Sequence, residues 1–419
     1  MLLGTPPGAL RVARVLTSMV SRGAAQSMAG RINATTPWLS WHVPRRGPLV
    51  WVHAASVGEA LTASPILARL RVARPEIASM LTFTSPSVER WPGALGCDRA
   101  GYLPPDDRTT MDALFRHLRP AALVFARGDL WPGLVAAAKR HGVPVLLVGG
   151  AVGVASTRLR LTTRLALRPT YSAVDWSGGS SPADANRLRR LGVRAVATHV
   201  TGDPRHDQAV ERPVALRWPG VVLAWAAGDP LMVAGSTHPE DERVLLSAFR
   251  RVLTSCSGAR LLVVPHTTHC REVERLRQAA RVLGLAHATL EADAPSDARL
   301  LIGSRLGTLA DLYLAANVAY LGGGFTRAGL HAVVEPAAFG VPVIFGARTT
   351  GHLTADAAAL LAAGGGWAVY PTDAVTTLAD RWLRWLGDHE GTCLAGLAGR
   401  GTLTTGAATV SARAILSYF

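Results

Sequence analysis

Short β-rich runs alternate with helical stretches along most of this chain, and the alternation occurs twice. The first series of apolar runs falls at residues 49–53, 80–83, 122–125, 143–148 and 196–200. The second begins after Pro219 and falls at 231–235, 260–264, 299–302, 318–321, 342–345 and 367–369. Strands that alternate with helices are joined by crossovers, and crossovers make parallel sheets. The predicted fold class is therefore α/β, with two Rossmann-like domains and an interdomain cleft where a ligand can bind. Thr201-Gly202-Asp203-Pro204-Arg205 and the polar stretch up to Pro219 read as the join. The expected division is a basic segment at 1–48, a first domain at 49–205, a linker at 206–219 and a second domain at 220–419 that includes C-terminal helices. A chain of 419 residues gives each half enough length to bury its own core.

In parallel α/β proteins the loops at the carboxyl ends of strands carry the chemistry. The first such loop, in Trp51-Val52-His53-Ala54-Ala55-Ser56-Val57-Gly58-Glu59-Ala60, breaks a buried strand with small residues and sets a carboxylate at a helix start. Glu59 is a candidate general base, with Ser56 and Gly58 lining the turn. The helix dipole also favours an acid in a first turn by about 0.3–1 kcal/mol, so a purely structural role stays open. In the second half, Gly235-Ser236-Thr237-His238 gathers amides and hydroxyls where an anion can sit, although Ser236 and Thr237 also suit an ordinary helix cap. Gly322-Gly323-Gly324 runs on to Val334-Glu335-Pro336. Gly323 and Gly324 let backbone N–H groups approach a phosphate, and Glu335 can accept hydrogen bonds from ribose hydroxyls.

The charge is +15, and Lys139 is the one lysine among 44 basic residues. Arginine suits phosphate and carboxylate partners, though a composition rich in Ala, Gly, Arg and Pro can raise arginine content with no partner implied. No aromatic and basic interleaving of the kind that stacks bases is present, so nucleic acid is not an expected partner. Cys97, Cys256, Cys270 and Cys393 form no CxxC pair, as in a reducing compartment. His266-Thr267-Thr268-His269-Cys270 lacks a second ligand pair at zinc spacing and reads as a polar strand-end loop, so no metal is expected. No run reaches the roughly 20 apolar residues of a membrane span. Leu10, Val12, Val15, Leu16, Met19 and Val20, with Arg11, Arg14 and Arg22, suit a basic amphipathic helix on an anionic bilayer, or one docked on its own domain.

The ordered motifs His53-Ala54-Ala55-Ser56-Val57-Gly58-Glu59, Asp129-Leu130-Trp131-Pro132, Thr201 to Arg205, Gly235 to His238, Val264-Pro265-His266 and Gly329 to Ala337 resemble the 3-deoxy-D-manno-octulosonic acid (Kdo) transferases of lipopolysaccharide synthesis. The resemblance spans about residues 50–386. It implies a GT-B glycosyltransferase that moves Kdo from CMP-Kdo to a lipid A precursor with inversion, without a cofactor or metal, at the cytoplasmic face of the inner membrane. It makes Glu59 the general base and Arg205, in place of a family lysine, the stabiliser of the transition state. It places CMP against Pro265, His266, Leu306, Gly307, Thr308, Ala332, Val333, Val334 and Glu335. The family's Glu-Thr-Glu-Leu-Trp-Pro stands here as Arg127-Gly128-Asp129-Leu130-Trp131-Pro132, so Arg127 replaces an acid while Asp129 keeps one. The Thr-Gly-Asn-x-Lys segment stands as Thr201 to Arg205, and Pro-Arg as Pro265-His266. A different nucleotide-sugar enzyme of epimerase type on the same scaffold, or a non-catalytic relative, are the alternatives.

Overall fold

The computed structural model describes residues 22–44, 47–89, 91, 95–290, 297–305, 307–326, 329–348 and 353–419. The basic N-terminal stretch 1–20 and Leu306 lie outside them. The chain divides into two compact units, one comprising the described residues up to Gln208 together with Thr404–Phe419, the other Ala209–Leu403.

The first unit holds β1 (Leu49–His53), β2 (Ala78–Phe83), β3 (Arg99–Tyr102), β4 (Ala122–Ala126), β5 (Val145–Gly150), β6 (Trp176–Gly179) and β7 (Thr198–Val200). They form one parallel sheet in the order β3-β2-β1-β4-β5-β6-β7. β1, β2, β4 and β5 are buried along their whole length, which is why they read as continuous apolar runs instead of alternating ones. The helix Arg108–Leu118 shows how the layers join. Asp107 caps it by accepting from the Thr110 N–H at 2.9 Å, and its buried Met111, Leu114, Phe115 and Leu118 recur at helical spacing. Phe115 stacks on Trp51 of β1 with ring centroids 5.2 Å apart.

The second unit holds β8 (Leu231–Thr237), β9 (Arg260–Pro265), β10 (His287–Thr289), β11 (Leu300–Ile302), β12 (Val318–Leu321), β13 (Val343–Gly346) and β14 (Gly366–Val369). These too are parallel, in the order β10-β11-β9-β8-β12-β13-β14. In each sheet the order reverses at the first strand, next to β4 in one unit and next to β12 in the other. Such switch points open a crevice at the carboxyl ends of the strands.

All eleven predicted strands are present, with ends shifted by a residue or two. Three more were not expected. β3 is Arg-Ala-Gly-Tyr and β6 is Trp-Ser-Gly-Gly, too short of apolar residues to signal a strand. Gly179 of β6 is needed for packing, since an added Cβ would lie 2.9 Å from the Ala185 nitrogen. β10 has three half-buried residues at a sheet edge.

The expected linker at 206–219 is partly helical, covered by Pro204–Glu211 and the start of Arg217–Ala226. The chain's last stretch, expected with the second domain, belongs to the first unit. Its helix Ala407–Leu416 buries Ala408, Ala412 and Ile415 in the core around Val50, Ile66 and Leu146. The buried Asp207 carboxylate fastens it, accepting from the N–H groups of Gly406 at 2.7 Å and Ala408 at 3.2 Å.

Candidate active site

Glu59 lies in the first turn of the helix Val57–Ala73, just past the carboxyl end of β1. Ser56 is its N-cap in extended conformation without a side-chain capping bond. Glu59 takes over part of that task by folding back, its Oε2 accepting from the Ala55 N–H. Gly58 is exposed, and an added Cβ there would meet nothing within 4 Å, so packing does not require a glycine at this position. Burial first, then the Asp129 charge, raises the Glu59 pKa from 4.5 to about 7 against the opposing Ala55 hydrogen bond and the charges of Arg127 and Arg158. A carboxyl group so placed exchanges protons near neutral pH, as a general base must.

The neighbouring groups come from the end of β4. Arg127 has φ +67° and Gly128 φ +145°, a turn that swings Asp129 out to an exposed position. Two side chains that sequence reasoning did not single out hold this turn. The Arg158 guanidinium and the Tyr171 hydroxyl, the latter at 3.0 Å, both donate to the Gly128 carbonyl. Arg158 also lies 3.6 Å from Asp129. Neither carries a signal in the sequence, because each acts on a backbone atom far along the chain.

Arg127 does not stand as a stray cation. Its Nη1 is 3.3 Å from Oδ2 of Asp203, the same oxygen that accepts from Arg205 Nη2 at 2.7 Å and Nε at 3.0 Å. The Arg205 N–H donates to Oδ1 at 3.0 Å. Burial alone would raise the Asp203 pKa, but the charge and hydrogen bonds of Arg205, then Arg127, hold it below the usual carboxylate range. One buried carboxylate thus pairs with two guanidinium groups. Asp203 was quoted in the motif without a role, yet it organises both arginines.

In the second unit the predicted ligand positions follow the ends of β8, β9, β11 and β12. Ser236 has φ +52° at a β-bulge between Gly235 and Thr237. The Thr237 hydroxyl is committed to the buried Glu242, donating at 3.1 Å, so its side chain serves the fold. Gly324 is required for closeness, since a Cβ there would lie 1.6 Å from the Gly346 oxygen. Gly323, with φ +91°, donates its N–H to buried Asp241 at 2.8 Å. Pro265 ends β9 and His266 follows it, exposed. Gly307 has φ +82° and Thr308 opens the short helix Leu309–Leu312. Val333 and Val334 are buried, so only their backbone can reach a ligand, while Ala332 and Glu335 are partly exposed. Glu335 sits in the first turn of the helix Val334–Ala338, close enough to the buried Tyr313 to add to the rise that burial causes in its phenol pKa.

Two parallel seven-stranded units with polar side chains at their switch points define a two-Rossmann α/β protein of the GT-B class. The solved UDP-GlcNAc 2-epimerase from Neisseria meningitidis, bound to UDP-GlcNAc, shares this fold at TM-score 0.63 and 13% identity, over 88% of this chain and 100% of that one. A model of the family described as 3-deoxy-D-manno-octulosonic-acid transferase (kdotransferase) matches residues 26–208. The 3-deoxy-D-manno-octulosonic acid transferase of Bordetella pertussis is 31% identical over 364 residues, covering 84% of this chain and 82% of the relative. That of Chlamydophila psittaci is also 31% identical, covering 73% and 70%. The chain belongs to the Kdo transferase family and is a glycosyltransferase.

Proposed function

We propose that this enzyme moves Kdo from CMP-Kdo to the hydroxyl of a lipid A precursor, with inversion, and that Glu59 is the general base. The observation that carries the reading is the half-buried Glu59 carboxyl, raised to about 7 at the end of β1, with Asp129 beside it. As the acceptor oxygen bonds to the anomeric carbon, the bond from that carbon to the CMP phosphate breaks and the hydroxyl proton passes to Glu59. Arg205 and Arg127, sharing Asp203, supply positive charge for the negative charge that builds up in the transition state. The first unit is assigned the acceptor. The second is assigned CMP, through the backbone at Gly324, Val333 and Val334, the side chain of Glu335, and the loops at Pro265, Gly307 and Thr308, the Gly323 N–H being taken up by Asp241.

A basic chain of charge +15 suits a phosphorylated, amphiphilic acceptor on an anionic bilayer, which supports work at the cytoplasmic face of the inner membrane. Among the described residues no helix is long and apolar enough to cross a membrane.

The test is a transfer assay with CMP-Kdo and a tetra-acylated lipid A precursor, run on the wild type and Glu59→Ala. CMP release that requires the acceptor and disappears in the variant is expected. Absence of transfer by the wild type, or full activity in Glu59→Ala, would overturn the proposal. Donor turnover without acceptor would point to an epimerase-like enzyme, and CMP binding without turnover to a non-catalytic relative.

A further inference from the structure

We propose that His238, His266 and His331 form a binding site for one divalent transition-metal ion, with zinc as the reference member. The three come from three adjacent strands of the second sheet, His238 directly after β8, His266 directly after β9 and His331 in the loop after β12. Each offers a ring nitrogen, and these nitrogens all lie within 4.8 Å of one another. Nε2 of His238 and Nε2 of His331 are 3.1 Å apart. Their rings are inclined by only 5° with centroids 5.4 Å apart, so the two face each other nitrogen to nitrogen. With zinc–imidazole bonds of about 2.0–2.1 Å, two ligands of a tetrahedral ion stand about 3.4 Å apart, so this pair, joined in the metal-free protein by one N–H···N hydrogen bond, reaches ligand geometry when the shared proton leaves and the rings turn to converge on the ion.

His266 lies across both, with its ring centroid 4.5 Å from that of His331 and 4.8 Å from that of His238. Its backbone is fixed, the N–H donating to the Thr237 carbonyl at 2.9 Å. Its side chain is exposed, which leaves the ring room to turn a nitrogen edge inward. Neutral imidazoles present the lone pairs that a cation needs.

The loops are held from behind. Buried Asp241 accepts from the His238 N–H at 3.0 Å, the Gly323 N–H at 2.8 Å and the Tyr320 hydroxyl at 3.0 Å, tying the ends of β8 and β12 together. A Cβ on Gly323 would lie 2.9 Å from Cδ2 of His331, so glycine there admits the ring. Three imidazoles leave a fourth position open for water or an anionic oxygen. No spacing rule reveals this set, because His238 and His331 are 93 residues apart.

The test uses the full chain, stripped with chelator, then titrated with Co2+ by visible absorption and with Zn2+ by calorimetry. One ion per chain is expected. His266→Ala and His331→Ala should each weaken binding by at least about a hundredfold, more than is lost when only an outer partner of a ligand is removed. The exposed neighbour His269, changed to Ala, should leave it unchanged. Circular dichroism of the metal-free proteins checks folding, and if His331→Ala fails to fold, the exposed His266→Ala decides alone. The proposal fails if no saturable binding occurs below about 1 mM, if His266→Ala binds as tightly as the wild type, or if His269→Ala loses the ion equally.

Discussion

Replacing Glu59 with glutamine should abolish transfer and at the same time stabilise the fold at alkaline pH. The native carboxyl titrates at about 7 against an ordinary 4.5, chiefly because burial disfavours its charge and Asp129 adds repulsion. A carboxyl whose folded pKa is raised favours the fold while protonated, and that advantage is lost as pH rises through the folded value. At about 1.36 kcal/mol per pKa unit, ionising this group in place costs roughly 3 kcal/mol at pH 8. The glutamine side chain keeps the size and an oxygen for the Ala55 N–H but carries no charge to desolvate. Urea unfolding of both proteins should therefore show Glu59→Gln more stable by up to roughly 3 kcal/mol at pH 8, and by about 1 kcal/mol or less at pH 5. Transfer should fall by about 10²–10⁴-fold, the usual worth of a general base. A variant less stable than the wild type at pH 8, or a stability difference independent of pH, would refute the electrostatic reasoning even if activity were lost.

The wild-type pH–rate profile should rise with pH and level off with an apparent pKa near 7, because the base must be ionised. Asp129→Asn should move that limb to lower pH and Arg158→Gln to higher pH; a limb that stays in place in both would dissociate it from Glu59. Arg127→Glu would set a second carboxylate against Asp203, which Arg127 now neutralises at 3.3 Å, so activity should drop, and Asp203→Asn in the same chain should recover part of it. A gain of activity in the single variant would mean that the pairing is incidental. Gly324→Ala should destabilise the second unit by about 3 kcal/mol or more, since the new Cβ would lie 1.6 Å from the Gly346 oxygen, and thermal unfolding would reveal a tolerated substitution at once.

The strands legible in the sequence were those buried on both faces, such as β1, β4 and β12, where the core demands an unbroken apolar run. β3, β6 and β10 were hidden because edge position and close backbone packing favour polar or small residues there. Glu59 was visible because a strand, a small-residue turn and a helix stand next to one another in the chain. Asp203 was quoted but not understood, since its two arginine partners become apparent only when the ends of β4 and β7 are placed. Arg158 and Tyr171 could not be found at all, as their target is the Gly128 carbonyl, a feature common to every residue. The His238, His266 and His331 grouping follows from strand order, and strand order cannot be read from local periodicity.

The return of the last sixteen residues to the first unit has a consequence during synthesis. The ribosome completes β1 to β7 early, yet Asp207 and the apolar face around Val50, Ile66 and Leu146 wait for the helix Ala407–Leu416. At about 5–20 residues per second, the roughly 200 intervening residues take about 10–40 s to make. Through that interval the first unit carries an uncovered apolar surface and a buried Asp207 that has Arg69 at 3.3 Å but lacks the N–H groups of Gly406 and Ala408, while the second can finish folding as soon as it emerges. Nascent chains should therefore engage chaperones through the part made first, and release should follow emergence of the helix Ala407–Leu416.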